Sequence, residues 1–271
     1  MAIEDLEDLG GVGGEEGPPD PKEEEALAHF EKFFATNRAA VYFSRQLEVI
    51  HEDQWFHWIT NRVLGRLAEE GLIKREERKL SSGGRIILLW HKGHRYYRRD
   101  ASRLVSLVDE YANPNIGFAV GLSAELLVLE GFAKCEFVTR GRNTKMFKGK
   151  EWIASDHDLD FIFERDGIAY GVEVKNKLGY MEYKELAAKV ALCRYLGIRP
   201  LIVARMLPKT WIKQVIDAGG FALIMKWQLY PYTHRELAKR VKAELRLPVD
   251  APKALEEGTM ARFERWHREN P

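Results

Sequence analysis

The sequence predicts an α/β chain in two folded parts: a helical module closed by a β-hairpin, then a mixed sheet flanked by helices. Three observations carry this. Apolar residues recur at helical spacing several times before residue 72, after which a basic strand, Ser82-Gly83-Gly84 and an apolar strand follow. Farther on, two short strands meet at Arg165-Asp166-Gly167, an Asp-Gly hairpin signal. Beyond that hairpin, helical and strand patterns alternate to about residue 225.

The first segment, 1–22, is poor in large apolar residues and rich in Gly, Pro and acids, and is expected to be a disordered tail. Residues 1–25 hold ten acids and one base, Lys22, so the net charge of +1 divides into −9 there and +10 on the rest. A basic body behind an acidic tail points to a nucleic-acid partner; a tail that only solubilises is the alternative. No apolar run approaches the roughly 18 residues that span a bilayer, so no membrane partner is expected. Cys135 and Cys193 are far apart without zinc spacing, which suits a reduced, cytoplasmic protein, nucleoid-associated if prokaryotic.

Residues 23–99 form the first folded part. "EEEALAHFEKFFATN" carries Leu27, Phe30 and Phe34 on one stripe, and Ser44 is placed to cap a short second helix. In "DQWFHWITNRVLGRLAEEGLI", Phe56, Ile59, Val63 and Leu67 repeat at helical spacing and Gly71 suits the C-terminal cap. Three helices and a hairpin, above all "VLGRLAEEGLIKRE", resemble a winged-helix DNA-binding module. That resemblance implies a helix over 55–70 in the major groove with His57, Asn61, Arg62 and Arg66 outward, and Lys74, Arg75, Arg78 and Lys79 near phosphates. Winged helices that bind only protein are the alternative.

Residues 100–115 read as a linker helix stopped at Asn113-Pro114. Over 116–230 the expected order is α-β-β-β-α-β-α-β, with a basic insert between about 140 and 154. Residues 231–271 are expected to be a helical extension engaged in core packing or a dimer contact.

The chemistry is concentrated in "HDLDFIFERDGIAYGVEVKNK". Glu173 and Lys175 share one face of a strand, Val172 and Val174 the other, and Asp160 lies across the turn beside them. Two converging carboxylates repel unless one is protonated or a cation intervenes. Oxygen-only ligands suit a hard ion such as Mg2+, with Mn2+ as substitute, and such an ion supplies charge stabilisation and an activated water. A solvated sheet face is the competing explanation.

Leu159-Asp160 followed by Glu173-Val174-Lys175 resembles the PD-(D/E)xK nuclease superfamily, which includes restriction endonucleases and archaeal Holliday-junction resolvases. The resemblance covers roughly 116–225, with Leu159 in place of the proline. It implies a restriction-endonuclease-like sheet, a DNA endonuclease, Asp160 and Glu173 as metal ligands, the Val174 carbonyl as a further ligand and Lys175 as the catalytic lysine. It also implies a homodimer for cutting both strands. Glu125, the one charge between Ile116 and Leu129, is the counterpart of a metal-facing glutamate on the preceding helix; pairing with Lys177 or another base is the alternative.

Arg140, Arg142, Lys145, Lys148 and Lys150 are candidates for tracking a phosphate backbone, and Asn176, Lys177 and Lys184 for touching the scissile strand. His91 and His94 read as surface or phosphate-contacting residues, and His157 as structural. A non-catalytic DNA-binding regulator and a structured-RNA nuclease remain open alternatives. Duplex, junction, damaged or single-stranded targets, and defence, repair or recombination roles, are equally open.

Overall fold

Pro21 opens the first helix of the structure, a computed structural model that describes residues 21–271. The expected tail over 1–22 lies outside the described residues except for Pro21 and Lys22, which are helical. The chain divides into two units: one runs to Phe118 and adds Lys239–Pro248, the other comprises Ala119–Ala238 and Val249–Pro271.

The first unit contains α1 (Pro21–Thr36), β1 (Val41–Phe43), α2 (Ser44–Ile50), α3 (His57–Glu69), β2 (Ile73–Lys79), β3 (Arg85–His91) and α4 (Tyr97–Tyr111). Phe30, Phe34, Leu47, Trp55, Ile59, Val63, Leu67 and Leu89 form its core, so the helical stripes read from spacing meet one another. Gly71 closes α3 with φ 72°, a left-handed conformation that costs glycine nothing. The hairpin β2–β3 pairs from Ile73↔His91 to Lys79↔Arg85, and β1 adds antiparallel to β3, giving the order β1-β3-β2. Three residues are too short to show a strand period, so β1 had no sequence signal. α4 is more than a linker: Ala101, Leu104, Leu107, Val108 and Tyr111 are buried along it.

The second unit begins within α5 (Pro114–Lys134) and continues through β4 (Val138–Thr144), the small hairpin β5 (Met146–Phe147) and β6 (Lys150–Glu151), then β7 (Leu159–Arg165) and β8 (Ile168–Lys175). It proceeds with α6 (Tyr183–Leu196), β9 (Arg199–Ala204), α7 (Lys209–Asp217), β10 (Phe221–Ile224), β11 (Gln228–Leu229), α8 (Arg235–Leu245, of which only the part to Ala238 belongs to this unit), β12 (Val249–Asp250) and α9 (Glu257–Glu269). The five-stranded sheet has the order β10-β9-β8-β7-β4, parallel across β10, β9 and β8 and antiparallel across β7 and β4. Asp166 (φ 54°) and Gly167 (φ 77°) make the expected two-residue turn. Lys148 (φ 46°) and Gly149 (φ 81°) make another between β5 and β6, so the basic insert is ordered strand and hairpin. At Gly171 a side chain would stand 2.5 Å from Cys193 Sγ, and glycine alone lets α6 approach β8 this closely.

Phe161, Phe163, Tyr170, Val172, Leu201 and Val203 pack under Ala124, Val128 and Phe132 of α5 and Phe263 of α9. By length and composition α5 would suffice to cross a bilayer, although the sequence has no apolar run of that length; its Ala124, Val128 and Phe132 are buried in this core, and its Val120 is buried as well. The segment 231–271 is no separate extension. β12 pairs with β11, while His267 accepts or donates to Tyr170 Oη at 2.7 Å and meets Asp166 Oδ2 at 3.1 Å. Lys239–Pro248 belongs instead to the first unit, held by Arg240–Glu110 at 2.8 Å and Arg103–Glu244 at 2.9 Å.

Candidate active site

The alternation of β8 turns Val172 and Val174 into the apolar core and leaves Glu173 and Lys175 on the opposite face, toward α6. The β7–β8 ladder runs to Phe161↔Val172. One residue further, Asp160 is brought opposite Glu173, and its Oδ2 accepts the Val174 N–H at 2.6 Å. The strand end is thus closed by a side chain.

Glu173 is 2% exposed and is paired on both oxygens. Lys175 Nζ lies 2.8 Å from Oε1, and Lys189 Nζ of α6 lies 2.5 Å from Oε2, an ion pair without hydrogen-bond alignment. Lys175 also meets Glu185 Oε1 of α6 at 2.6 Å. Lys189 donates to the Asp158 carbonyl and is 3.7 Å from Asp158 Oδ1. Strand and helix therefore each supply an acid and a lysine, and the pairs cross.

Burial pushes the Asp160 carboxyl up to about 7, and the neighbouring Glu173 charge adds to this against the Val174 hydrogen bond and Lys189. Burial also raises Glu125; Arg142 opposes the rise, while Glu173 adds to it, Lys175 opposes it and Asp158 adds to it. For Lys175, burial works to lower the pKa, but the Glu173 and Glu185 carboxylates outweigh it and the net direction is upward. Five carboxylates (Glu125, Asp158, Asp160, Glu173, Glu185) face three cations (Lys175, Lys189, Arg142), an excess of negative charge. That excess, with two adjacent carboxylates, matches the oxygen donor set of a hard divalent ion. Among the described residues, no group of three or more His, Cys, Asp or Glu is arranged to hold a metal, so Glu125 is coupled to Asp160 and Glu173 without closing a three-ligand group with them.

Lys189 and Glu185 were not anticipated. The sequence signal was present for Lys189: it falls on the buried stripe of α6 with Leu186, Val190 and Cys193, where a bare charge is costly. Lys184, the residue singled out on that helix, is exposed. Asn176 is corrected from a strand-contacting residue to an interior brace. It is 8% exposed, its Nδ2 donates to Val120 O and Leu229 O, and its Oδ1 accepts Leu229 N–H at 2.7 Å. Both amide hydrogens are thus taken by main-chain carbonyls. Half-buried Lys177 offers its carbonyl to Arg205 Nε at 3.2 Å.

Within the basic insert, Arg140 pairs with Glu164 Oε2 at 3.2 Å and Lys148 approaches the same oxygen at 4.0 Å. Arg142 lies over the Phe161 ring at 5.4 Å, Lys145 is half-buried, and Lys150 is exposed. In the first unit, Lys74, Arg75, Arg78 and Lys79 are exposed on β2, Arg78 paired with Glu76. Asn61 is half-buried on α3; Arg62 pairs with Glu23 at 3.0 Å, and Arg66 with Glu24 at 2.6 Å and Glu70 at 3.0 Å. His57 does not face outward: it is 7% exposed and sits between Glu52 Oε2 at 3.2 Å and Arg45 Nη1 at 3.0 Å. His94 is likewise interior, against Asp100 Oδ2 at 3.0 Å.

No family model and no curated protein matches the chain. Among solved structures, the crystal structure of protein VC1899 from Vibrio cholerae aligns over 86% of this chain and 58% of its own, at 14% identity and a TM-score of 0.25. The chain thus spans little more than half of that protein, and a likeness at this level does not define a common fold.

Proposed function

We propose that the chain is a divalent-cation-dependent DNA endonuclease of the PD-(D/E)xK type, with the first unit acting as a winged helix that engages DNA. The observation that carries the reading is the meeting of Asp160 with Glu173 and Lys175 at the end of the β7–β8 hairpin, on the sheet face that α6 covers, opposite the core beneath α5. The order α5-β4-β7-β8-α6-β9 supports it for the second unit, and α1-β1-α2-α3-β2-β3 with its antiparallel sheet supports a winged helix for the first.

Asp160 and Glu173 would hold Mg2+ or Mn2+, with Glu125 close enough to add its charge and the Val174 carbonyl as the further ligand that the family resemblance implies. When bound, the ion supplies a Lewis acid for a phosphoryl oxygen and an acidified water. Lys175 stays protonated, because Glu173 and Glu185 hold its ammonium. It therefore neutralises charge on the phosphate and does not act as the base. In the ion-free chain Lys189, itself held by Asp158, neutralises Glu173 from the side of α6.

A DNA-binding protein that keeps this sheet as a scaffold is the second reading, favoured by one fact: lysines already neutralise both oxygens of Glu173. Incubating supercoiled plasmid, and separately structured RNA, with the protein and Mg2+ or Mn2+ separates the readings. Metal-dependent nicking that disappears in Lys175→Ala, with DNA binding retained, is the expected result. Binding without nicking at any protein concentration would leave the scaffold reading.

A further inference from the structure

Lys189 stands between two acceptors of unlike setting. On one side is Glu173, 2% exposed, whose Oε2 receives the ammonium at 2.5 Å without hydrogen-bond alignment. On the other is Asp158, 50% exposed, whose carbonyl accepts a hydrogen bond from Nζ and whose Oδ1 is 3.7 Å away. The lysine itself is 5% exposed and is held on the packed face of α6 beside Leu186, Val190 and Cys193. Its ammonium thus cannot swing into solvent, but its reach covers both carboxylates.

We propose that Lys189 is a built-in cation that competes with the divalent ion for Glu173, and that Asp158 is its second seat. This rests on the reading that Asp160 and Glu173 take such an ion. In the ion-free protein Lys189 neutralises a carboxylate that would otherwise be buried with one lysine. When an ion takes Glu173, repulsion moves the ammonium toward Asp158, whose carbonyl already holds it. The ion then replaces a positive charge at Glu173 and does not simply add to one. Affinity for the ion is set by this exchange, and two residues that need not touch the ion tune it.

Calorimetric titration of the full chain with MnCl2 tests this without reference to cleavage. Lys189→Gln removes the competitor and should bind Mn2+ at least about tenfold more tightly, whereas Lys189→Arg, which keeps the charge, should stay near wild type. Asp158→Asn weakens the second seat and should bind about threefold more weakly, an effect that disappears in the double variant because it acts through Lys189. Unchanged or weaker binding by Lys189→Gln overturns the proposal, as does an Asp158→Asn effect that persists in the double variant. Should Lys189→Gln fail to fold, Lys189→Met with the Asp158→Asn variant decides: Asp158 is half exposed, and unaltered affinity there is equally fatal. A wild-type chain that binds no Mn2+ at millimolar concentration would instead remove the ion-binding reading of the whole site.

Discussion

Asp160 accepts the main-chain N–H of Val174 at 2.6 Å, and the same side chain lies beside the buried charge of Glu173. One contact favours its carboxylate and the other opposes it; burial tips the balance upward, to about 7 from 3.8. A folded pKa above the unfolded one means that the folded protein binds the extra proton. The associated stability is full below about pH 4 and is lost as pH rises through 7. Asp160→Asn keeps an acceptor for Val174 and removes the charge. In chelator at pH 8 it should stabilise the protein by about 1–3 kcal/mol, with the gain shrinking toward pH 5. On the proposed endonuclease reading, which makes Asp160 a ligand of the ion, cleavage should fall by at least about a hundredfold. Urea unfolding at the two pH values checks the first part; a variant no more stable than wild type at pH 8 would contradict it.

Asn176 braces three main-chain groups from two different elements. Asn176→Ala leaves Val120 O, Leu229 O and Leu229 N–H buried without that partner, and should cost about 2–4 kcal/mol. If the chain binds DNA as proposed, its affinity, measured by fluorescence anisotropy at a temperature where the variant is folded, should be unchanged. A stable variant with weakened DNA binding would return Asn176 to the substrate side.

His51 and His29 meet edge to face at 4.8 Å in the first core, and Nε2 of each is buried without a hydrogen bond. Burial first, and the nearby His29 second, lower the His51 pKa from 6.5 to about 4. The unfolded chain then takes up a proton that the folded chain refuses, so stability falls as pH drops from 6.5 and levels off near 4. The ceiling is about 3 kcal/mol. His51→Phe, which preserves the aromatic packing, should flatten thermal stability across that window. Parallel loss in wild type and variant would point to other groups.

Two arginines expected on the groove-facing side of α3, Arg62 and Arg66, are held by Glu23 and Glu24 of α1. If α3 contacts DNA, these acids compete with it for the two arginines. Glu23→Gln with Glu24→Gln should raise affinity about threefold to tenfold at 0.1 M salt and steepen its salt dependence by about one or two contacts. An unchanged salt slope would take α3 out of the interface.

Much of the second unit could be read in advance because its signals are local. The Asp166-Gly167 turn sets a hairpin, and period-two alternation then sorts Val172 and Val174 from Glu173 and Lys175. Glu125 could be singled out as a lone charge on an apolar helix, and its pKa is indeed raised by burial. The same argument applies to Lys189, which is buried on α6, whereas Lys184, five residues earlier, is on the exposed side. β1 and β12 were too short to show a period.

Turn chemistry and alternation are properties of neighbours in the chain, and they alone settled the hairpin, the shared face of Glu173 and Lys175, and the nearness of Asp160. Partners from distant segments followed a different rule. The crossing of Glu185 and Lys189 with Lys175 and Glu173 depends on how closely α6 can lie on β8, which Gly171 and Cys193 allow. The bracing of Asn176 depends on α5 and β11 converging, and the neutralising of Arg62 and Arg66 on the start of α1 lying beside α3. Helical periodicity names a buried face but not the surface it will meet, and a charge finds its partner only once packing has brought the two together.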